Sequence, residues 1–94
     1  MRIVDVLWLP DIVDKLASKH DVELSEVEQV LARQPRFRRP QRGKVRGEDL
    51  YAAIGQTESG RYLIVFFIRK KSGSALVVSA RDLDPGERRQ YERK

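Results

Sequence analysis

The 94-residue sequence contains no cysteine and only one histidine, and these two shortages exclude several kinds of site. Without cysteine there is no disulfide framework and no thiolate chemistry, which is typical of proteins kept in a reducing cytoplasm. One histidine with no cysteine also argues against a zinc site. We therefore expect a cytoplasmic protein that uses neither a metal ion nor another cofactor.

Long apolar runs and the common nucleotide-binding and hydrolase motifs are missing as well. No run is long enough to cross a bilayer, and the N-terminus lacks the basic, apolar and small-residue order of a signal peptide. There is no glycine-rich phosphate loop and no Gly-x-Ser-x-Gly turn. The length predicts a single domain, residues 1–94, with one hydrophobic core and no membrane partner.

Charge is present in abundance but is unevenly distributed along the chain, whose net charge is +5. Residues 1–32 hold seven acids and three bases, whereas residues 33–46 hold seven bases and no acid. The remaining residues hold nine bases and seven acids. Basicity concentrated in one short segment indicates a polyanion or an acidic protein surface as partner.

Residues 61–81 form the most apolar part of the chain and predict a central β-hairpin. Two runs rich in β-branched and aromatic residues flank Lys-Lys-Ser-Gly at residues 70–73, a typical turn. Strict alternation predicts a core face shared by Leu63, Val65, Phe67, Leu76, Val78 and Ala80. The opposite face ends in a polar corner with Tyr62, Ser79 and Arg81, where we expect a site.

The flanking segments predict an α+β domain. The predicted elements are a strand at residues 2–9, a helix from Pro10 to about Lys19, a helix opened by a Ser25–Glu28 capping box, a short edge strand around Phe37, a strand at residues 49–57 and a last helix opened by Asp84 and Pro85. The expected fold is an antiparallel sheet of three to five strands with two N-terminal helices and one C-terminal helix, the helices packed on one face.

Three arginines near the strand ends are candidates for binding phosphate. Arg81 ends the last predicted strand and Arg88 follows one turn into the next helix, so the two side chains can approach each other. Together with Arg69 and Tyr91 they would form a site, because guanidinium groups bind phosphate bidentately and stabilise its developing charge. The alternative is that these arginines are solvated and that Arg88 pairs with Glu92.

Two further residues are candidates for proton transfer. His20, at the end of the first predicted helix, is the natural proton-transfer group near neutral pH, but a cation also suits a helix C-terminus. Glu87 is a candidate catalytic carboxylate, although its place in the first turn of the last helix already explains it as a capping residue, which is the favoured interpretation.

The basic segment mixes arginine with an aromatic residue, as nucleic-acid contacts often do. Its candidate nucleic-acid-contacting residues are Arg36, Arg38, Arg39, Arg42 and Lys44. The alternative is an ordinary solvated surface, but seven bases without an acid exceed the usual mixing of charges.

Over nearly its whole length the sequence resembles the BrnT toxins of type II toxin–antitoxin systems, which adopt a RelE-like fold. The likeness begins with Trp8, Pro10 and the Lys19-His20 pair at their characteristic spacing. It continues through the helix at residues 26–31, the Ile-Gly and Gly-Arg segments at residues 54–65, and the Ser-Ala-Arg and Glu-Arg-Arg-x-Tyr-Glu segments at residues 79–92.

The resemblance implies a metal-independent endoribonuclease toxin that cleaves RNA and arrests growth until a ribbon-helix-helix antitoxin similar to BrnA binds it. A homodimer or a toxin–antitoxin heterotetramer is then expected. The resemblance favours His20, Arg69, Arg81, Arg88 and Tyr91 as catalytic residues, and Glu87 is the alternative to His20 for proton transfer. Lys19 and Arg61 join the candidate RNA-contacting residues. The alternative is a catalytically silent module that binds nucleic acid or an acidic protein through its arginine-rich segment.

Overall fold

The computed structural model describes residues 1–41 and 49–93, except for the side chains of residues 39–41. Its elements, in chain order, are β1 (Val6–Leu7), α1 (Pro10–His20), α2 (Leu24–Ala32), β2 (Arg36–Gln41), β3 (Leu50–Gln56), β4 (Tyr62–Arg69), β5 (Ala75–Asp82) and α3 (Pro85–Glu92). The strands form one sheet in the order β1-β5-β4-β3-β2. The predicted α+β class is confirmed. Within the described residues, no helix is long and apolar enough to cross a membrane.

The first strand is shorter than predicted, and it runs parallel to its neighbour in a sheet that was expected to be antiparallel. Only Val6 and Leu7 pair with β5, and they do so in parallel, whereas every other pair of strands is antiparallel. Val4 is 67% exposed, and its N–H donates to the Gly73 carbonyl in the β4–β5 turn, outside any strand. Pro10 begins α1 directly afterwards, which limits the strand at its other end.

The β4–β5 hairpin contains a bulge that changes the predicted faces of β5. Val65 pairs with Ala80 and Phe66 with Ser79, but Phe67 pairs with Val77 because the register shifts at that point. Beyond the bulge, Ala75 and Val77 are therefore the buried residues, and the prediction that Leu76 and Val78 lie on the core face is wrong. An extra residue on one strand reverses the alternation, and sequence periodicity alone does not locate it.

The main core lies between one face of the sheet and the helices α1 and α2; we call this face the covered face. Leu16 of α1 and Val27 and Val30 of α2 are buried against Val65 and Phe67 of β4. These helix residues recur at the spacing of one helical stripe, which gives each helix a single apolar side. Proline at the first position starts α1, and Asp21 ends it in the left-handed conformation with φ of 52°.

The N-terminus of α2 differs in detail from the prediction. The capping box is formed by Glu23 and Glu26 and not by Ser25 and Glu28: the Glu23 carboxylate accepts from the third-residue backbone N–H, and the Glu26 carboxylate accepts from the Glu23 N–H at 3.0 Å. The same three-residue spacing occurs two positions earlier, but glutamate at the N-cap lies outside the sequence rule, which favours Ser25. Glu28 instead accepts from the indole N–H of Trp8 at 3.4 Å.

Helix α3 packs on the opposite face, which corrects the prediction that all helices share one face. Tyr91 and Leu83 pack against Ala52, Ile54 and Ile64, which form a second, smaller apolar cluster. Because α1 and α2 already cover the first face, these strand residues would otherwise face water, and α3 shields them.

Two hairpin glycines offer a matched test of how firmly the segment before β1 is held. Gly60 and Gly73 have φ of 96° and 95°, so alanine is strained at either position. A Cβ at Gly73 would lie 2.8 Å from Cγ2 of Val4, whereas one at Gly60 meets nothing closer than 3.6 Å. We expect Gly60→Ala to cost about 1 kcal/mol of unfolding free energy and Gly73→Ala about 1 kcal/mol more, measured by urea unfolding.

The added loss in Gly73→Ala should disappear when Val4→Ala is introduced with it, because the contact is then removed. Equal losses for the two glycine variants would show that the chain before β1 does not press against this turn.

Candidate active site

The start of α3 is set by a reciprocal pair of hydrogen bonds, as the sequence predicts. The Asp84 carboxylate accepts from the Glu87 backbone N–H at 2.7 Å, and the Glu87 carboxylate accepts from the Asp84 N–H at 3.0 Å. Pro85 occupies the first helical position, where its missing N–H costs nothing. The box fixes the Glu87 side chain at the junction between β5 and α3.

Glu87 also holds Arg81, the last but one residue of β5, by a two-pronged ion pair. Arg81 donates from Nη1 to Oε1 at 2.7 Å and from Nη2 to Oε2 at 3.0 Å. This fork lowers the pKa of Glu87 to about 2, and the Asp84 backbone N–H acts in the same direction. The same contact raises the pKa of Arg81, which also donates to the Asp82 carbonyl.

Aromatic rings hold the neighbouring arginines. The guanidinium carbon of Arg88 lies 4.2 Å from the centre of the Tyr62 ring, and that of Arg36 lies 5.2 Å from the Tyr91 ring. The two tyrosines meet edge to face at 5.8 Å, and Arg88 also pairs with Glu92 at 3.3 Å. The expected alternative for Arg88, a helix ion pair, is thus present, yet its guanidinium lies over an aromatic ring as well.

Strand β2 contributes two arginines to the same region. Arg38 donates to Oε1 of Gln90 at 3.1 Å, and Arg36 donates to the Arg93 carbonyl at 3.1 Å. The positive charge of Arg38 contributes to the lowered pKa of Glu87, which places it near the Arg81–Glu87 pair. We call this region the α3 face; its members are Arg36, Arg38, Tyr62, Arg81, Glu87, Arg88 and Tyr91. Six of these seven were predicted as site residues.

Arg61 lies apart from the α3 face and has all five of its donors occupied. Its Nε and Nη2 contact the Asp82 carboxylate at 2.7 and 3.1 Å, and its Nη1 contacts Glu26 at 3.0 Å. Nη1 and Nη2 also donate to the carbonyls of Asp21 and His20, at the end of α1. These contacts raise the pKa of Arg61 and lower that of Asp82. Its predicted contact with RNA would require breaking them, whereas its bonds to α1, α2 and β5 join the helix layer to the sheet.

His20 lies near Arg61 and is not on the α3 face. Its charge helps to lower the pKa of Asp82, whereas Arg61 is the main cause. Asp82 pairs with Leu63 on the covered face, while the preceding residue, Arg81, pairs with Ile64 on the other. The sheet therefore separates His20 from Arg81. Lys19 is exposed in the last turn of α1.

Arg69 does not join the other predicted arginines. It donates to the Arg2 carbonyl at 3.1 Å, beside β1. It pairs with Ala75, whereas Arg81 pairs with Ile64, five positions along β4, a separation of roughly 17 Å. Arg42 and Lys44 lie outside the described residues, as does the side chain of Arg39.

Sequence reasoning missed several partners of the site. Alternation places Tyr62 in the polar corner where a site is expected but assigns it no role there, although a tyrosine beside arginines is a ready cation–π partner. Gln90 stands three residues after Glu87 and so shares its side of α3, which was the available signal. The pairing of Arg61 with Asp82 and Glu26 joins distant segments, and no local pattern indicates it.

The Arg81–Glu87 pair predicts a specific acid sensitivity. The folded-state pKa of Glu87 is lowered from 4.5 to about 2, so the pair stabilises the fold above about pH 4.5 and this stabilisation is lost as the pH falls towards 2. Glu87→Gln should be less stable than wild type by about 1 kcal/mol at pH 7, since both groups keep contact with solvent. The difference should vanish near pH 2, as measured by urea unfolding at stepped pH. A constant difference across that range would contradict the pairing.

Comparison with known proteins places this geometry in a family. Residues 8–87 match the family model described as the ribonuclease toxin BrnT of type II toxin–antitoxin systems. The crystal structure of the Brucella abortus ribonuclease toxin BrnT has the same fold, with a TM-score of 0.63 at 17% identity, over 85% of this chain and 96% of that one. No curated protein matches the chain. Because the family model spans most of the sequence, the chain belongs to the BrnT family of ribonuclease toxins of type II toxin–antitoxin systems.

Proposed function

We propose that the protein is an endoribonuclease that cleaves RNA without a metal ion, at the α3 face. The observation that carries the proposal is the convergence of four arginines, from β2, β5 and α3, around one helix on one side of the sheet. Guanidinium groups bind phosphate diesters through paired hydrogen bonds, and the rings of Tyr62 and Tyr91 offer surfaces for bases. Membership of a family of ribonuclease toxins supports the same substrate.

The reaction needs two proton transfers and stabilisation of negative charge. The ribose 2′-oxygen loses its proton to a base and attacks the adjacent phosphorus; the bond from phosphorus to the 5′-oxygen then breaks, and that oxygen takes up a proton. Negative charge grows on the non-bridging phosphate oxygens along this path. Arg81 and Arg88 are the groups that stabilise it, since they are positively charged at every physiological pH.

Glu87 is the carboxylate on the α3 face that accepts the proton of the 2′-hydroxyl. With its pKa held near 2 it is a weak base in the free protein. A phosphate that takes over the donors of Arg81 removes the main cause of that lowering, so the pKa of Glu87 rises towards its ordinary value as substrate binds. His20 is the alternative proton-transfer group, and its position behind the sheet makes it the less favoured one. The location of Arg69 gives it no part in this site.

A neighbouring pair of arginines in α3 tests the assignment. Arg88 lies over Tyr62, whereas Arg89 is exposed and makes no side-chain ion pair among the described residues. Arg88→Ala should lower the rate of RNA cleavage by purified protein about a hundredfold, and Arg89→Ala should lower it less than threefold. Circular dichroism of both variants checks that α3 remains folded. Equal effects would show that only the net charge of the helix matters.

The pH dependence of cleavage distinguishes the two candidate bases. If Glu87 is the base, the rate rises over the acidic range of a carboxyl group, and Glu87→Gln removes that rise while His20→Asn leaves it. A rise centred near pH 6.5 that disappears in His20→Asn would assign the proton transfer to His20 and overturn the role given to Glu87.

A catalytically silent binding module is the second candidate, and one observation favours it. In the free protein Arg81 and Arg88 are already ion-paired, to Glu87 and Glu92. Such a module would bind RNA or an acidic protein with strong salt dependence and would not cleave RNA when pure. Cleavage lost in Arg88→Ala rules it out.

The partners follow from the same proposal. Membership of the family implies an antitoxin partner; we propose that it is a ribbon-helix-helix protein, assembled with the toxin as a heterotetramer or with a toxin homodimer, in the cytoplasm. Arg36 and Arg38 extend the α3 face along β2 and are proposed to follow the RNA backbone.

A further inference from the structure

A groove between α1 and the start of α2 lies open on the helix layer, on the side of the sheet away from the α3 face. It encloses about 410 Å³. Its floor is formed by the buried side chains of Leu16 and Val22, and its walls by Val13, Ala17 and Leu24. Leu24, at the first position of α2, is 38% exposed. The α1–α2 groove is thus mainly apolar, with Glu23 and Ser25 at its edge.

An acidic pocket of about 420 Å³ adjoins this groove, and Glu23 and Ser25 line both. Asp21 and Glu58 also line the pocket. Arg61 lies at its base, but its charge is engaged by Glu26 and Asp82. The remaining carboxylates therefore give the pocket a negative character that no cation among the described residues offsets.

The distribution of charge along the chain also makes the helix layer negative. Residues 1–32, which supply both helices of this layer, carry seven acids and three bases, whereas the rest of the chain carries sixteen bases and seven acids. A polyanion is repelled from this surface and attracted to the other side of the sheet. The complementary ligand is positively charged and has an apolar side.

We propose that the α1–α2 groove and the adjoining acidic pocket bind a basic amphipathic helix of the antitoxin, a partner that rests on the proposed function. Its apolar side chains enter the groove between Ala17 and Leu24, and its lysine or arginine side chains reach Glu23 and Glu58. A furrow between two helices has the width of a helix side-chain stripe, which favours a helical segment. The antitoxin then contacts the helix layer while RNA contacts the α3 face.

The test is a titration of isotope-labelled protein with a synthetic amphipathic peptide of about 18 residues, which has leucine along one stripe and lysine elsewhere. The amide signals of Ala17, Leu24 and Ser25 should shift. Leu24→Gln should weaken binding about tenfold because it removes one apolar anchor. Glu58→Lys should weaken it about tenfold at low salt and less at high salt.

Matched controls distinguish specific binding at this surface from nonspecific binding of the peptide. Leu9→Gln changes a leucine of similar exposure at the other end of α1, and Asp14→Lys reverses a charge on α1 outside the pocket; neither should alter binding by more than twofold. A peptide with glutamate in place of lysine should not bind. Shifts confined to the α3 face, or equal weakening by Leu9→Gln and Leu24→Gln, would overturn the proposal.

RNA cleavage by the same variants, measured without peptide, distinguishes failure of the docking proposal from failure of the proposed nuclease function. Leu24→Gln should cleave RNA at the wild-type rate. Wild-type protein that binds the peptide at the groove but leaves RNA intact would refute the nuclease and retain the docking surface.

Discussion

The start of α3 is joined to the sheet by one ion pair. No residue of α3 is fully buried, and Tyr91 is its one apolar anchor on the sheet. The Arg81–Glu87 ion pair adds to this limited apolar contact, because two charge-assisted hydrogen bonds join the end of β5 to the first turn of the helix. The same two groups are the proposed catalytic pair. The contact that positions the helix is therefore the contact that substrate must remodel.

A second arginine organises the other side of the sheet and explains why the predicted residues divide into separate groups. Arg61 joins the end of α1, the start of α2 and the end of β5, and all of its hydrogen-bond donors are used in these contacts. Arg81 and Asp82 are consecutive but point to opposite faces, so one serves the α3 face and the other the Arg61 contacts. The result is a basic α3 face, the proposed site for RNA, and an acidic helix layer, the proposed site for the antitoxin.

Local patterns of the sequence were sufficient for the elements and for much of the candidate site. Asp84, Pro85 and Glu87 predict the start of α3, because helix capping depends on residues close together in the sequence. Alternation places Tyr62 and Arg81 on the same face of the sheet for the same reason. The bulge in β5 opposite Phe66 and Phe67, the face on which α3 packs and the distance of Arg69 from Arg81 all depend on contacts between distant segments. Ser25 satisfies the capping rule at α2, yet Glu23 is the residue that caps the helix. Sequence resemblance identified the BrnT family, whereas the grouping of charges required the fold.

Ultraviolet crosslinking of single-stranded RNA to the protein, with the crosslinked peptides identified by mass spectrometry, tests the central claim most directly. RNA held at the α3 face lies against the rings of Tyr62 and Tyr91, so the crosslinks should fall on peptides that contain these residues and should weaken in Arg88→Ala. Crosslinks confined to α1 and α2, or to the end of the sheet that carries Arg69, would contradict the account.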